Sequence, residues 1–290
     1  MTTPGGGPTQ LVCPGREFAF KRPLVMGILN VTPDSFSDGG ALLNSSGLNV
    51  DALCGAAETM VVAGASFLES GGESARPGAL AVSEQEEMDR VFGAIACIQG
   101  RFDVEISLDT STPKVMLAGA AAGVGLINDV RALSREGAME AAAETGLPIC
   151  LMHMQGDPLT MQAGPQYLNV VAEVTQFLEQ RASACSEAGI SRDRLIFDPG
   201  FGFGKTPQHN FALLKHLPEV VGLGQPVLVG LSRKSMIASV LDRSTSQRLP
   251  ASLALAVLAM VGGAHILRVH DVVETMDAVA MMTAYAEASP

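Results

Sequence analysis

The sequence predicts an α/β protein folded as a single-domain (β/α)₈ TIM barrel. From about residue 24 onward, eight short apolar runs alternate with longer Ala-rich stretches. Continuous apolar strands separated by helices indicate a parallel sheet covered by helices, and eight such units favour a closed barrel over an open sheet. A length of 290 residues suits one barrel, and nothing after the Gly- and Pro-rich first 10 residues resembles an interdomain linker. We therefore predict a flexible N-terminal segment and lead-in over residues 1–20 and one barrel domain over 21–290.

The predicted strands leave room for a helix between each pair. They are LVMGILNV at 24–31, SFLESGG at 66–72, VEISLDT at 104–110, GLINDV at 125–130, PICLMHM at 148–154, LIFDPGFG at 195–202, PVLVGLS at 226–232 and HILRVH at 265–270. Between them lie helix start signals, either capping-box spacing or a threonine followed by a proline at the first helical position. These signals are Ser83 with Glu86, Asp271 with Glu274, Thr112 with Pro113, and Thr206 with Pro207.

Composition disfavours several classes of partner. The 19 Lys and Arg residues against 30 Asp and Glu residues give a net charge of −11, which disfavours binding to nucleic acid or to an anionic membrane. No run approaches the ~18 apolar residues of a spanning helix, and the N-terminus lacks a signal-peptide pattern. The five cysteines lie far apart and form no metal-ligand pattern. We therefore expect reduced, buried thiols in a cytoplasmic protein.

Polar residues recur at or just after the carboxyl ends of the predicted strands. In a barrel these ends surround one mouth, where substrate sites lie, so residues far apart in sequence can share a pocket. Strands also end in polar residues simply because loops begin there, and that structural alternative stays open. The residues concerned are Asn30, Glu73, Arg76, Asp109, Asn128, His153, Asp198, Ser232, Arg233, Lys234, Arg268 and His270.

Two carboxylates and one amide of this set suit a nitrogen-rich heterocycle. A buried carboxylate can accept hydrogen bonds from two adjacent N–H groups at once. We assign this bidentate acceptor role to Asp198, with Asp109 and Asn128 beside it. Either carboxylate could instead hold a turn or pair with a cation. His153 has no paired nucleophile in the sequence, so we assign it no chemical role.

Basic residues after the second, seventh and eighth predicted strands form a second group. Arg76, Lys234, Arg268 and His270 could hold a phosphate, which barrels often bind through their last two loops. Basic residues at the mouth of an acidic protein indicate an anionic substrate. Arg233 is equally compatible with an ordinary surface charge.

Eight motifs follow one another across nearly the whole chain after residue 20. They are MGILNVTPDSFSDGG at 26–40, GGESARPGA at 71–79, SLDTSTP at 107–113, INDV at 127–130, LMHMQGDPLTMQ at 151–162, DPGFGFGK at 198–205, LVGLSRKSMI at 228–237 and LRVHDV at 267–272. This series resembles the bacterial dihydropteroate synthases, a family of pterin-binding TIM barrels.

The resemblance implies an enzyme of folate synthesis and a target of sulfonamides. Such an enzyme condenses 6-hydroxymethyl-7,8-dihydropterin pyrophosphate with para-aminobenzoate, with Mg²⁺ as cofactor, in a homodimer. It also implies roles for individual residues. The pterin would contact Asp109, Asn128, Met152, Asp198, Phe203, Gly230 and Lys234; the pyrophosphate Asn30, Arg76, Arg268 and His270; the aminobenzoate Thr32, Pro33, Phe36, Pro77, Lys234 and Ser235; and Mg²⁺ Asn30. The catalytic group would be Asn30, Arg76, Lys234, Arg268 and His270.

The second motif departs from the family pattern. Where the family usually has an aspartate, an aliphatic residue and GGEST, this chain has Glu69, Ser70 and GGESA, so Ala75 replaces a threonine. The loss of one hydrogen bond is worth roughly 0.5–1.5 kcal/mol, which would weaken the site without abolishing it. These departures bear on the second loop and on the response to sulfonamides.

Two other functions remain compatible with part of the sequence. A pterin-dependent methyltransferase that serves a corrinoid protein could share the pterin floor, although the TPDSF and SRK motifs favour the condensing enzyme. A non-catalytic pterin-binding homologue is the third interpretation, and Ala75 is the one feature that favours it. The Ala- and Met-rich stretch 252–264 either packs on the barrel or exposes an apolar face to a partner.

Overall fold

The computed structural model describes residues 7–29, 31, 42–44, 47–74 and 82–289. The strands in this part of the chain are β1 (Gln10–Cys13), β2 (Arg16–Ala19), β3 (Leu24–Ile28), β4 (Leu43–Asn44), β5 (Gly47–Leu48), β6 (Phe67–Gly71), β7 (Glu105–Asp109), β8 (Leu126–Asp129), β9 (Ile149–Met152), β10 (Leu195–Asp198), β11 (Leu228–Val229) and β12 (Ile266–Val269). The α-helices are α1 (Val50–Ala63), α2 (Glu84–Gln99), α3 (Pro113–Ala121), α4 (Ala138–Thr145), α5 (Val170–Glu187), α6 (Pro207–Lys215), α7 (Leu217–Val221), α8 (Ser235–Ala238), α9 (Leu249–Val261) and α10 (Val272–Glu287).

Eight parallel strands form the barrel that the sequence predicts. Their order is β10-β9-β8-β7-β6-β3-β12-β11, and each neighbouring pair runs parallel. A parallel bridge between Phe197 and Val227 joins the two outer strands of this order and closes the barrel. Each barrel strand overlaps one of the apolar runs, so the predicted fold class is confirmed.

The strand period of two residues divides each barrel strand into an inner and an outer face. The inner face carries an apolar layer near the start of the strands, which includes Phe67, Leu126, Cys150, Ile196, Leu228 and Ile266. Two residues further along the same strands, the inner face carries Glu69, Asn128, Met152, Asp198, Gly230 and Arg268. Polar groups therefore lie above an apolar layer, at the carboxyl end of the barrel.

Residues 1–6 of the N-terminal segment and lead-in predicted over 1–20 lie outside the described residues, and residues 7–20 are described. Within that segment, β1 and β2 form an antiparallel hairpin. Leu11 and Cys13 are buried against the inner apolar layer, and the rings of Phe18 and Phe67 lie with centroids 4.7 Å apart. The hairpin covers the amino-terminal end of the barrel. Its strands are too short to stand out in the sequence, and the burial of their alternate side chains stabilises them.

All four helix start signals directly precede a helix, and two of them form a side-chain cap. Ser83 accepts from the Glu86 backbone N–H at the start of α2, and Thr206 accepts from the His209 backbone N–H at the start of α6. Thr112 precedes α3 but makes no cap bond; its hydroxyl donates to Glu87. The Asp271–Glu274 capping box is likewise absent at the start of α10.

The cysteines also differ from expectation at one pair. Cys54 on α1 and Cys97 on α2 form a disulfide, whereas Cys13, Cys150 and Cys185 are free and buried. The pairing lies between two helices that are neighbours in the outer layer, which spacing along the sequence does not reveal.

Among the described residues, none of the helices combines the length and the apolar character needed to span a bilayer.

Candidate active site

A cavity of about 550 Å³ opens at the carboxyl ends of the barrel strands. Ten of the residues that the sequence analysis selects line it: Asp109, Asn128, Met152, Asp198, Phe203, Gly230, Lys234, Ser235, Arg268 and His270. The six others, Asn30, Thr32, Pro33, Phe36, Arg76 and Pro77, lie outside the described residues. The barrel therefore brings into one cavity every described residue to which the resemblance gives a substrate contact. Of the other polar residues expected at the mouth, Glu73, Ser232 and Arg233 line the cavity as well, whereas His153 does not.

Three oxygen acceptors form the floor of this cavity. Asp109 and Asn128 lie opposite each other on neighbouring strands, and Asp198 ends a third strand. Asp198 accepts from the Gly200 backbone N–H at 2.7 Å, which fixes one carboxylate oxygen. Gly200 has φ +69°, and a Cβ there would lie 1.8 Å from the His153 carbonyl oxygen, so only glycine fits this turn.

Asn128 presents its amide in a defined orientation. Its Nδ2 donates to Glu69 Oε1 at 2.8 Å. Its Oδ1 is buried, and within the described part of the chain no group donates to it. Buried polar atoms of this kind are uncommon in folded proteins, and they often mark a place where a ligand or water binds.

Burial alters the acidity of the floor carboxylates. Burial raises the pKa of Asp198 to about 6, although the Gly200 N–H and the cations of Lys234 and Arg268 act in the opposite direction. Burial, and then the nearby Glu69 carboxylate, raise the pKa of Asp109 well above its ordinary value. Burial therefore destabilises the ionised form of both carboxylates, and a ligand that donates hydrogen bonds or carries a positive charge would stabilise it.

Arg268 extends from β12 toward the acceptors of the floor. It forms an ion pair with Glu69, and its Nη2 lies 3.6 Å from Asp109 Oδ2. Burial alone would lower the pKa of Arg268, but Glu69, Asp109 and Asp198 outweigh it and raise that pKa. Arg268 is therefore held as a cation beside the acidic floor.

Other polar groups surround the rim. The Lys234 ammonium lies 4.2 Å from the centroid of the Phe203 ring, within the usual range of a cation–π contact. His270 Nδ1 lies 3.0 Å from the Ser232 hydroxyl oxygen. These contacts connect the loops that follow β10, β11 and β12.

Arg233 forms an ion pair with Asp271, with its Nε donating to Asp271 Oδ2 at 3.1 Å. This contact occupies the carboxylate that the sequence analysis places in a capping box, which explains the absence of that cap. Arg233 has φ +57°, an uncommon conformation for a residue with a side chain. The pair joins the loops that carry Lys234 and His270.

His153 and Lys205 lie beneath the loop after β10. Lys205 is buried, and its ammonium donates to the backbone oxygens of Gly200 and Phe203 at 2.9 and 3.1 Å. Its Nζ also lies 2.9 Å from His153 Nδ1, and burial lowers the pKa of Lys205 to about 7. Burial and the Lys205 charge lower the pKa of His153 to about 3. His153 is thus neutral near pH 7, and its ring packs edge-on against Phe177 at a centroid distance of 4.9 Å.

Ion pairs hold Glu73, which lies just after β6, against neighbouring loops. Glu73 Oε2 lies 3.1 Å from Arg131 Nη1, and Glu73 Oε1 lies 3.8 Å from Arg135 Nη2. Arg131 also donates to the Ser111 hydroxyl at 3.0 Å. The loop after β6 is therefore tied to the loops after β7 and β8 where it leaves the barrel.

Sequence reasoning missed several residues of this region. Glu69 lies on the inner face two residues after the buried Phe67, and that period of two could have identified it. Lys205 ends the DPGFGFGK motif, but its role depends on carbonyl groups that only the folded loop brings together. Thr245 lines the cavity from a short helical segment and Arg248 from the position just before α9, and no pattern marked them.

Comparison with known proteins gives one family. Residues 26–270 match the family described as pterin binding enzyme. A dihydropteroate synthase of Escherichia coli K12 is 51% identical over 275 residues, covering 95% of this chain and 96% of the relative. One of Haemophilus influenzae is 50% identical over 266 residues, covering 92% of this chain and 95% of the relative.

Solved structures similar to this chain belong to the same family as these relatives. A Yersinia pestis dihydropteroate synthase with a sulfonamide drug has a TM-score of 0.92 at 48% identity, covering 96% of this chain and 100% of that one. A Xanthomonas albilineans dihydropteroate synthase with 4-aminobenzoic acid has a TM-score of 0.89 at 45% identity, covering 97% and 99%. These relatives do not favour the methyltransferase or the non-catalytic alternative. The chain belongs to the pterin-binding enzyme family and, within it, to the dihydropteroate synthases.

Proposed function

We propose that this enzyme condenses 6-hydroxymethyl-7,8-dihydropterin pyrophosphate with para-aminobenzoate, which gives 7,8-dihydropteroate and pyrophosphate. The observation that carries the proposal is the floor of acceptors formed by Asp109, Asn128 and Asp198, and above all the buried Asn128 Oδ1 that lacks a donor within the described residues. A pterin carries several N–H donors along one edge of its ring. Such an edge would satisfy these acceptors together.

The pterin ring would bind on this floor. Asp198 would accept from two adjacent N–H groups, and Asp109 and Asn128 would accept from others. Ionised Asp198 is disfavoured by burial, so a donor-rich ligand would gain from supplying its missing partners. The residues proposed as walls and upper contacts are Met152, Phe203, Gly230 and Lys234, of which Gly230 contributes its backbone.

The pyrophosphate would leave toward the cationic side of the mouth. The C–O bond breaks first, the electron pair departs with the pyrophosphate oxygen, and a cationic pterin methylene group remains. The aromatic amine then forms the new C–N bond and releases a proton to solvent. Arg268 and His270 would stabilise the leaving charge, together with Asn30 and Arg76, by preorganised electrostatics.

The aminobenzoate would bind above the pterin. We assign its contacts to Lys234 and Ser235, which line the described cavity, and to Thr32, Pro33, Phe36 and Pro77 of the two signature loops. Ala75 lies in the second of these loops and offers no hydroxyl. We expect this to weaken the aminobenzoate and sulfonamide contacts by about one hydrogen bond.

We assign Mg²⁺ to the pyrophosphate group, with Asn30 as its protein ligand. Among the described residues, no cluster of three or more His, Cys, Asp or Glu side chains could hold a metal. Mg²⁺ bound to phosphates commonly uses only one or two protein ligands and takes its other oxygens from substrate and water. An amide oxygen fits that chemistry, and the ion, when bound, would neutralise part of the leaving-group charge.

We further propose a cytoplasmic homodimer. Leu258 and Val261 on α9 and Val273, Met281 and Tyr285 on α10 are exposed, although the opposite face of α9 packs on the barrel. Apolar side chains exposed on two neighbouring helices are typical of a subunit interface. Light scattering of the purified chain tests this assembly, and a monomer at micromolar concentration would contradict it.

The reaction itself is tested with the purified chain, dihydropterin pyrophosphate and Mg²⁺. Pyrophosphate release and dihydropteroate are followed with and without para-aminobenzoate. We expect one dihydropteroate for each pyrophosphate released. Substrate binding without product at any aminobenzoate concentration would contradict the proposal.

A further inference from the structure

Glu69 is a buried carboxylate that faces the inside of the barrel beneath the candidate active site. Its side chain is 0% exposed. Isolated buried carboxylates are costly, so such a group persists where it has partners that satisfy both oxygens. Glu69 does not line the cavity described above, and nothing in the proposed reaction requires it to touch a substrate.

The two oxygens of Glu69 serve two different strands. Oε1 accepts from Asn128 Nδ2 at 2.8 Å, and Oε2 accepts from Arg268 Nε. Asn128 belongs to the proposed pterin floor, and Arg268 belongs to the proposed pyrophosphate group. One carboxylate thus connects the two halves of the substrate site.

The contact with Asn128 has a consequence for the cavity. An amide has one acceptor end and one donor end. Because Glu69 can only accept, it keeps the NH₂ end of Asn128 toward itself and leaves Oδ1 as the end that lacks a donor. If the amide rotated by half a turn, the cavity would present donors to a donor-rich ring, and each mismatched group would cost binding free energy.

We propose that Glu69 is a positioning residue, which fixes the orientation of the Asn128 amide and of the Arg268 guanidinium so that both face the substrate correctly. This inference rests on the proposed function, because it assumes that the floor binds a pterin. Glu69 acts through its two neighbours and makes no contact with substrate.

The variant Glu69→Gln has nearly the same shape but carries a donor in place of one acceptor. Its NH₂ group must face either the donors of Arg268 or the NH₂ of Asn128, so one of the two contacts is lost or the Asn128 amide rotates. Glu69→Asp keeps two acceptor oxygens on a side chain one methylene shorter. Glu105→Gln is a matched control, because Glu105 also lies on a barrel strand but at its amino-terminal end, and it does not line the cavity.

The experiment measures the dissociation constant of 6-hydroxymethylpterin by calorimetry, which does not depend on turnover. We expect Glu69→Gln to weaken binding about tenfold, or about 1.4 kcal/mol, while Glu69→Asp recovers most of that loss and Glu105→Gln binds within twofold of wild type. In an Asn128→Ala background, where no amide remains to be oriented, Glu69→Gln should weaken binding less than threefold.

This last comparison separates positioning from a general structural role. A merely structural role would reduce affinity equally in the presence and absence of the Asn128 amide, since effects of independent sites add. Equal losses in both backgrounds, or a Glu69→Gln variant that binds as wild type, would overturn the inference alone. Failure of the wild-type chain to bind pterin would instead overturn the proposed function, and this inference with it.

Discussion

Replacement of Asp198 by asparagine should stabilise the protein while it impairs substrate binding. The carboxylate is buried, and its pKa is raised from 3.8 to about 6 in the folded chain. One pKa unit corresponds to about 1.4 kcal/mol, so the ionised carboxylate costs the fold on the order of 3 kcal/mol at pH 8. Asparagine removes that charge, and its oxygen can still accept from the Gly200 N–H, which the carboxylate accepts at 2.7 Å.

The sign of the pH dependence follows from proton linkage. A group whose folded pKa is raised favours the fold at low pH, and this contribution is lost as the pH rises through the folded pKa. The advantage of Asp198→Asn should therefore be on the order of 3 kcal/mol at pH 8 and about 1 kcal/mol at pH 4.5. Urea unfolding of both proteins at the two pH values measures it. A variant no more stable than wild type at pH 8, or an advantage independent of pH, would refute the reasoning.

Three further predictions follow from other contacts. Gly200→Ala should cost about 2–4 kcal/mol of unfolding free energy, because its Cβ would meet the His153 carbonyl, whereas Gly146→Ala, with a similar φ of +70° and open space, should cost only about 1 kcal/mol; equal losses would contradict this. A double-mutant cycle of Arg233→Gln and Asp271→Asn should give a coupling of about 1–2 kcal/mol in unfolding, and strict additivity would contradict the ion pair. Thiol labelling of the denatured, unreduced chain should count three cysteines, and five would contradict the disulfide.

The sequence predicts the barrel because its signal is local and repeated. Each strand is a short apolar run, and each run ends in residues that a barrel must place at one mouth. Asp109, Asn128, Asp198 and Arg268 could therefore be grouped without coordinates, although they lie up to 159 positions apart in a chain of 290 residues. Their roles toward a substrate come from the family resemblance and remain proposals.

Features that depend on contacts between distant elements were not predicted. The β1–β2 hairpin is stabilised by the inner apolar layer, and QLVC is too short to signal a strand by itself. Asp271 has the spacing of a cap, but its carboxylate pairs with Arg233, which lies 38 positions earlier in the chain. Glu69 was noted as a departure from a family pattern, whereas its two partners, 59 and 199 positions away, appear only in the folded barrel.

The central claim is that the acceptors of the barrel floor recognise the N–H edge of a pterin. Calorimetric titration with 6-hydroxymethylpterin and with its analogue lacking the 2-amino group tests it most directly. Loss of that amino group leaves buried acceptors without donors, so the analogue should bind roughly 10- to 100-fold more weakly to the wild-type chain. Equal affinity for the two ligands would contradict the claim.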